Sequence, residues 1–447
     1  MQLQLTQGNV LKNLVQFSLP FLLSYFLQTL YGLADLFIAG QFNGADTITA
    51  VSVGSQIMHM ITVIIVGLAM GPAVLTGHAV GENNKNRIHT LISTSTILFA
   101  FISIFLTVLL IALCPQIVKL VSTPSESVKQ TESYLLICFF GIPFITAYNV
   151  IASILRGLGD AKSPMIFIAI ACFINILLDY IFMGPLNLGA EGAALATIIA
   201  QGISVIISLF AILIRKKNTE RKTKVLQFSS KEAKEIFKIG IPVACQDGFI
   251  QISFLLITVI ANKRGVNVAA AVGIVEKIIS FLFLVPSSLL SSVSAISSQN
   301  IGAAKPERAE KTLFYGIKIG FAAGLLFAVL FQFFSKQVIS LFTQNPQVIL
   351  FGSQYIRTYV FDCVFASIHF CFSGYFCALG KSFWAFVHNV ISIILIRVPG
   401  AYLASVLFTQ TLLPMGLAAT CGSILSSIVC VLIFKHLHKN IKILTLT

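Results

Sequence analysis

The sequence predicts an all-α membrane protein of twelve transmembrane helices, arranged as two six-helix lobes related by a pseudo-twofold axis along the membrane normal. Three observations predict it. The 447 residues are 57% hydrophobic and only 10% charged, and the mean hydropathy is +0.92, a composition far from that of soluble domains. Apolar stretches long enough to cross a bilayer, about 20 residues each, recur along the whole chain. The two halves also resemble one another at an offset of about 220 residues.

The spans fall near 14–39, 47–76, 88–113, 132–155, 163–183 and 190–214 in the first half. In the second they fall near 236–261, 268–298, 311–334, 352–379, 383–408 and 414–436. The opening MQLQLTQGNVLKNLVQFSLP has neither the basic start nor the small-residue cleavage site of a signal peptide, so the first span is expected to be retained. Pro20 and Pro143 remove backbone donors inside the first and fourth spans and mark places where those helices can bend.

Between the halves lies RKKNTERKTKVLQFSSKEAKE, residues 215–235, read as a cytoplasmic linker between an N-terminal lobe of 1–214 and a C-terminal lobe of 236–447. The internal match carries this division. AVSVGSQI at 50–57 aligns with AVGIVEKI at 271–278, and GHAVGENNKNR at 77–87 aligns with SQNIGAAKPER at 298–308, so that Gly81 meets Gly302 and Arg87 meets Arg308. Six is an even number, so both halves enter the membrane from the same side, which gives parallel repeats.

Orientation follows from the basic residues. With the N-terminus inside, most of the 30 lysines and arginines fall on inner loops, including the run from Arg215 to Lys238 and the terminal Lys435, Lys439 and Lys442. Lys119, Lys129, Lys263, Arg264 and Lys336 fall outside. Both termini are therefore expected in the cytoplasm of a cell with this chain in its inner membrane. The formal charge of +14 is accounted for by a basic rim facing anionic lipid, without nucleic acid. The nine cysteines form no C-x-x-C pair, the seven histidines no H-E-x-x-H, and no nucleotide-binding G-x-x-x-x-G-K-[ST] loop is present. An enzyme is not expected, nor an ATP-driven pump, and two halves within one chain suit a monomer.

Two carboxylates stand out. Asp35 and Asp179 both lie within apolar spans, where a charge costs about 2.5–3.5 kcal/mol on insertion scales and marks a functional site. In CFINILLDYIFMGP, residues 172–185, Asn175 and Asp179 are four apart and share a helix face. Gln28 precedes Asp35 by seven residues on nearly the same face of the first helix; with Tyr134 and Asn149 of the fourth span it is a candidate for lining a substrate cavity.

Together these segments resemble the multidrug and toxic compound extrusion (MATE) transporters, in particular their bacterial DinF-like branch. The resemblance runs over nearly the whole chain, through FSLPFLLSYFLQTLYGLADLFIAG at 17–40, the Gly81 loop, ILRGLGDAKSP at 154–164, NILLDYIF at 175–182, LGAEGAALAT at 188–197, and ALGK and IRVPGAYL in the second half. The resemblance implies that Asp35, Asn175, Asp179 and Thr197 gather around a coupling proton or sodium ion, with no other cofactor. It implies an antiporter that exports amphipathic, often cationic drugs. A lipid or lipid-linked oligosaccharide flippase of the same superfamily is the alternative. The second half does not repeat the site: Ile257 falls where Asp35 is expected and Arg397 near the counterpart of Asp179, leaving Asp362, Glu276 and Asp247 as its unassigned carboxylates.

Overall fold

The computed structural model describes residues 4–121, 123–217 and 227–446, without the side chains of 215–217 and 438–446. Part of the 215–235 linker, residues 218–226, therefore lies outside the described residues, as do the side chains of Lys439 and Lys442. Every regular element among the described residues is helical. In chain order the first half contributes α1 (Val10–Phe42), α2 (Ala45–Gly81), α3 (Lys85–Leu120), α4 (Val128–Phe140), α5 (Ile142–Gly157), α6 (Lys162–Met183) and α7 (Gly189–Lys217). The second contributes α8 (Ser230–Asn262), α9 (Val266–Leu282), α10 (Leu284–Gly302), α11 (Pro306–Ser340), α12 (Pro346–Tyr359), α13 (Phe361–Ala378) and α14 (Ser382–Ser392). A π-helical turn, Ile393–Arg397, leads into α15 (Val398–Leu407), and α16 (Leu413–Leu446) ends the described chain.

Eleven spans are long and apolar enough to cross a membrane, and α4 with α5 makes a twelfth, bent by 47°. All twelve expected spans are present. Most extend a turn or more past their apolar runs because the polar flanks continue the helix. The bend falls at Gly141, and Pro143 occupies the first turn of α5, where its missing N–H leaves no helical bond unmade. Pro20, by contrast, sits inside the unbroken α1.

The chain divides into two compact units, one containing Leu23–Phe237, the other Gln4–Leu22 with Lys238–Thr447. Thus α1 begins in the second unit and ends in the first, while α8 does the reverse. The repeat-related arginines hold both starts. In the second unit Arg308 donates from Nη1 to the Gly8 carbonyl (2.9 Å) and from Nη2 to that of Gln7 (3.1 Å). Its Nε donates to Asn300 Oδ1 at 3.1 Å, and the Asn300 amide donates to the Leu5 carbonyl at 3.3 Å. In the first unit Arg87 bonds Glu232 near the start of α8 at 3.1 Å and Glu82 at 2.9 Å.

Within the first unit α2 packs on α5 and α6 on α7, around a core that includes Val51, Ile65, Leu135, Phe139 and Ile142. The second unit is built around α13, which packs against α10, α11 and α16. The α11 face carrying Gly316, Gly320 and Gly324 allows this approach. A Cβ on Gly320 would stand 2.6 Å from Ser367, and one on Gly324 2.8 Å from the Val364 Cα. Small residues spaced by four are the usual means by which membrane helices bring their backbones together. Gly324→Ala is accordingly expected to destabilise the protein by about 1–3 kcal/mol through overpacking against backbone. Gly273→Ala, with nothing within 4 Å of the added Cβ, is expected to be neutral. Melting of the two purified variants against the parent checks this.

Candidate functional site

The first unit brings α1, α6 and α7 together so that Asp35, Asp179 and Thr197 converge. Asp35 is 3% exposed, Asn175 1%, Asp179 0% and Thr197 8%. Asn175 and Asp179 occupy successive turns of the buried face of α6, as their spacing predicts. Helix α6 is tied to α1 close by, with Cys172 Sγ directed at the Leu27 carbonyl at 3.7 Å.

The Asp35 and Asp179 carboxyl groups lie within hydrogen-bonding reach of one another. Carboxylate oxygens only accept, so such a contact forms a hydrogen bond only when one group carries a proton. Consistent with this, Asp35 Oδ1, both Asp179 oxygens, both polar atoms of the Asn175 amide and Thr197 Oγ1 have no hydrogen bond of normal geometry among the described residues. Buried polar groups are ordinarily paired, and two adjacent buried anions repel strongly in a medium of low dielectric. One positive charge between them removes both conflicts. Sodium fits the donor set, since Asp35, Asp179, the Asn175 amide oxygen and the Thr197 hydroxyl supply the hard oxygen ligands that such an ion prefers. A shared proton fits equally well.

Tyr31, one turn before Asp35, is a member that sequence reading misses. Its hydroxyl faces Thr197, with Asp35 and Asp179 close by. The only signal is its i−4 spacing from Asp35. Tyr134 also lies near Asp35 and Tyr31; it is 2% exposed and wedged against Gly54, where an added Cβ would collide with the ring. Gln28 and Asn149 are half-buried. The Asn149 amide donates to the Ile145 carbonyl of its own helix at 2.8 Å, and neither residue joins the carboxylate cluster.

Two hollows flank the site. An apolar groove of about 400 Å³ runs between α1 and α6, lined by Ala34, Phe37, Phe173, Leu177 and Tyr180. A polar hollow of about 350 Å³ lies at the ends of α1 and α7, lined by Asn43, Thr47, Gln130, Asn187 and Glu191. Eight residues separate Asn43 from Asp35, about 12 Å along the helix. In this hollow Thr47 donates to Gln130 Oε1 at 2.9 Å, and Gln130 donates to Asp46 at 2.7 Å.

Comparison with known proteins agrees with this architecture. The MatE family pattern matches twice, at residues 20–181 and 242–403. A probable multidrug resistance protein of Bacillus subtilis, YpnP, is 30% identical over 92% of each chain. An FAD transporter of Shewanella oneidensis is 24% identical over 98% of this chain and 96% of its own. Among solved structures, a MATE transporter in its bent conformation superposes with a TM-score of 0.92 at 22% identity, covering 99% of both chains. With the family pattern covering both halves, this chain belongs to the MatE family of multidrug and toxic compound extrusion transporters, which are membrane carriers and not enzymes.

Proposed function

We propose that the chain is a cation-coupled antiporter that exports amphipathic, often cationic organic compounds by alternating access, using the inward movement of protons or sodium ions. The observation that carries this reading is the buried, mutually adjacent Asp35–Asp179 pair, of whose oxygens Asp35 Oδ1 and both of Asp179 have no hydrogen bond of normal geometry among the described residues. A coupling ion changes a conformational equilibrium only through a difference in its affinity for the two states. Adjacent carboxylates provide that difference when one state holds them together and the other parts them. The polar lining of the hollow near Asn43 and Glu191 suits an approaching ion, and the apolar groove beside α1 suits the hydrocarbon part of lipid or cargo. The distribution of basic residues supports a cell-membrane orientation with both termini cytoplasmic.

Transport of a cationic dye into vesicles holding the purified protein, with sodium and proton gradients imposed separately, tests the reading. Dye movement is expected to follow at least one gradient; indifference to both would overturn it. A second cargo class has its own observation, the Shewanella oneidensis relative named as an FAD transporter. FAD as a competitor in the same assay distinguishes a cationic from an anionic cargo preference.

A further inference from the structure

The family pattern matches both halves at an offset of 222 residues (20 to 242, 181 to 403). That offset sets Ile257 against Asp35 and places Arg397 in the stretch that matches Asn175 and Asp179. The second unit nevertheless holds carboxylates of its own, one buried and one half-buried. Asp362, at the start of α13, is fully buried, and half-buried Glu276 on α9 accepts from Thr258 Oγ1 at 3.2 Å while its other oxygen has no partner among the described residues.

Arg397 is the single lysine or arginine that is buried among the described residues, at 8% exposure. It ends the π turn Ile393–Arg397, and such turns recur at functional sites. Leu395 in the same turn is 63% exposed, so the turn carries the arginine inward and the leucine outward. The guanidinium Nη2 donates to the Tyr359 hydroxyl at 2.8 Å and lies 3.8 Å from Asp362 Oδ2. Its Cζ lies 4.9 Å from the Phe254 ring centroid, and Glu276 is within its electrostatic reach. Arg397 and Asp362 thus meet as charges, without a hydrogen bond.

We propose that Arg397 is a tethered cation: in the second unit it fills the electrostatic role that an exchangeable ion fills between Asp35 and Asp179 in the first. The chain then has one exchangeable cation site and not two, and the arginine at position 397 sets that number. The proposal rests on the coupling role given above to Asp35 and Asp179, and its test is built to stand apart from that role. Arginine suits the task because its guanidinium stays charged at every physiological pH and tolerates desolvation and aromatic faces better than an ammonium. The other ionisable groups facing Asp362 are Glu276, Tyr355, Tyr359 and the neighbouring Cys363, with His369 across Ser423 and His388 behind it on α14. Helix α10 contributes none.

The test uses full-length protein carrying Asp35→Asn and Asp179→Asn, which silences the first site. Melting is followed through Trp384, the only tryptophan and a residue of the second unit. Sodium chloride is titrated against choline chloride at constant ionic strength, and pH is varied from about 5 to 8. This background is expected to show no sodium response. Adding Arg397→Gln is expected to create one, a saturable rise of about 2–4 °C, or else a new pH dependence in which a proton occupies Asp362. Further addition of Asp362→Asn should abolish either, and Arg397→Lys in place of Arg397→Gln should create neither.

A folded Arg397→Gln protein insensitive to both sodium and pH would overturn the proposal, as would a response at Asp362 while Arg397 is still present. Should Arg397→Gln fail to fold, recovery by the added Asp362→Asn supports an unpaired buried charge as the cause, and failure to recover overturns it. A failure of the coupling role would instead appear as a parental chain whose cation response is unchanged by Asp179→Asn, a comparison that leaves the second-unit result standing.

Discussion

Asp179→Asn is expected to leave the protein folded in the membrane and to abolish ion-driven export. Asparagine keeps the size and planar shape of the side chain, so packing around the fully buried position changes little. What it removes is the charge that a cation recognises. A ligand with equal affinity for both conformations shifts nothing, however tightly it binds, so without the carboxylate pair the ion gradient no longer drives the cycle. Dye export in vesicles should fall to the leak level, at least about 100-fold below the parent, a loss of about 2.7 kcal/mol or more of driving preference. Asp35→Asn should act in the same way. Because the two groups share one site, the double variant should be no worse than either single one. Thermal stability should hold or rise, since the substitution removes one of two adjacent buried acids. Parental rates of gradient-driven export in either variant would remove that carboxylate from the coupling site.

Much of this site was legible in the sequence, for a simple reason. A carboxylate in an apolar span is costly enough to announce itself, and Asp35 and Asp179 do so independently. Thr197 and Asn175 carry no such signal, because hydroxyls and amides are common between membrane helices; only the family resemblance selected them. Tyr31 was invisible, since a tyrosine in an aromatic-rich chain is ordinary until its hydroxyl is seen facing Thr197. The helix count was legible because hydropathy records length.

Hydropathy is blind to register, however. A π turn adds one residue to a helical turn without changing composition, so the inward aim of Arg397 could not be read. The exchange of helix starts between the two units was equally hidden, because Arg308 holds Gly8 and Gln7 through their carbonyls, which every residue type possesses. The alignment of Arg87 with Arg308 did mark both places, but not what they grip.

Thr197→Val separates the two ions, because the substitution preserves side-chain shape and deletes a single oxygen. Thr197 Oγ1 is buried, has no hydrogen bond of normal geometry among the described residues, and faces the Tyr31 hydroxyl beside both carboxylates. A sodium ion held by Asp35, Asp179 and Asn175 would take this oxygen as a ligand. A hydroxyl facing a carboxylate pair that shares one proton is instead dispensable, because the proton is already held by the acids. If sodium drives export, Thr197→Val should raise the sodium concentration for half-maximal transport by about 10-fold or more, equivalent to a lost ligand worth roughly 1.4 kcal/mol or more. If protons drive it, transport under a pH gradient should persist within about 2-fold of the parent, less than 0.5 kcal/mol of change. The Tyr31 hydroxyl would then lose its neighbour on α7 without loss of coupling. Sodium titrations of parent and variant vesicles at fixed pH decide between the two: a parental curve that responds to sodium and a variant curve displaced to higher concentration place the ion on Thr197. A sodium response of equal midpoint in both would exclude Thr197 as a ligand while leaving Asp35 and Asp179 as the coupling pair.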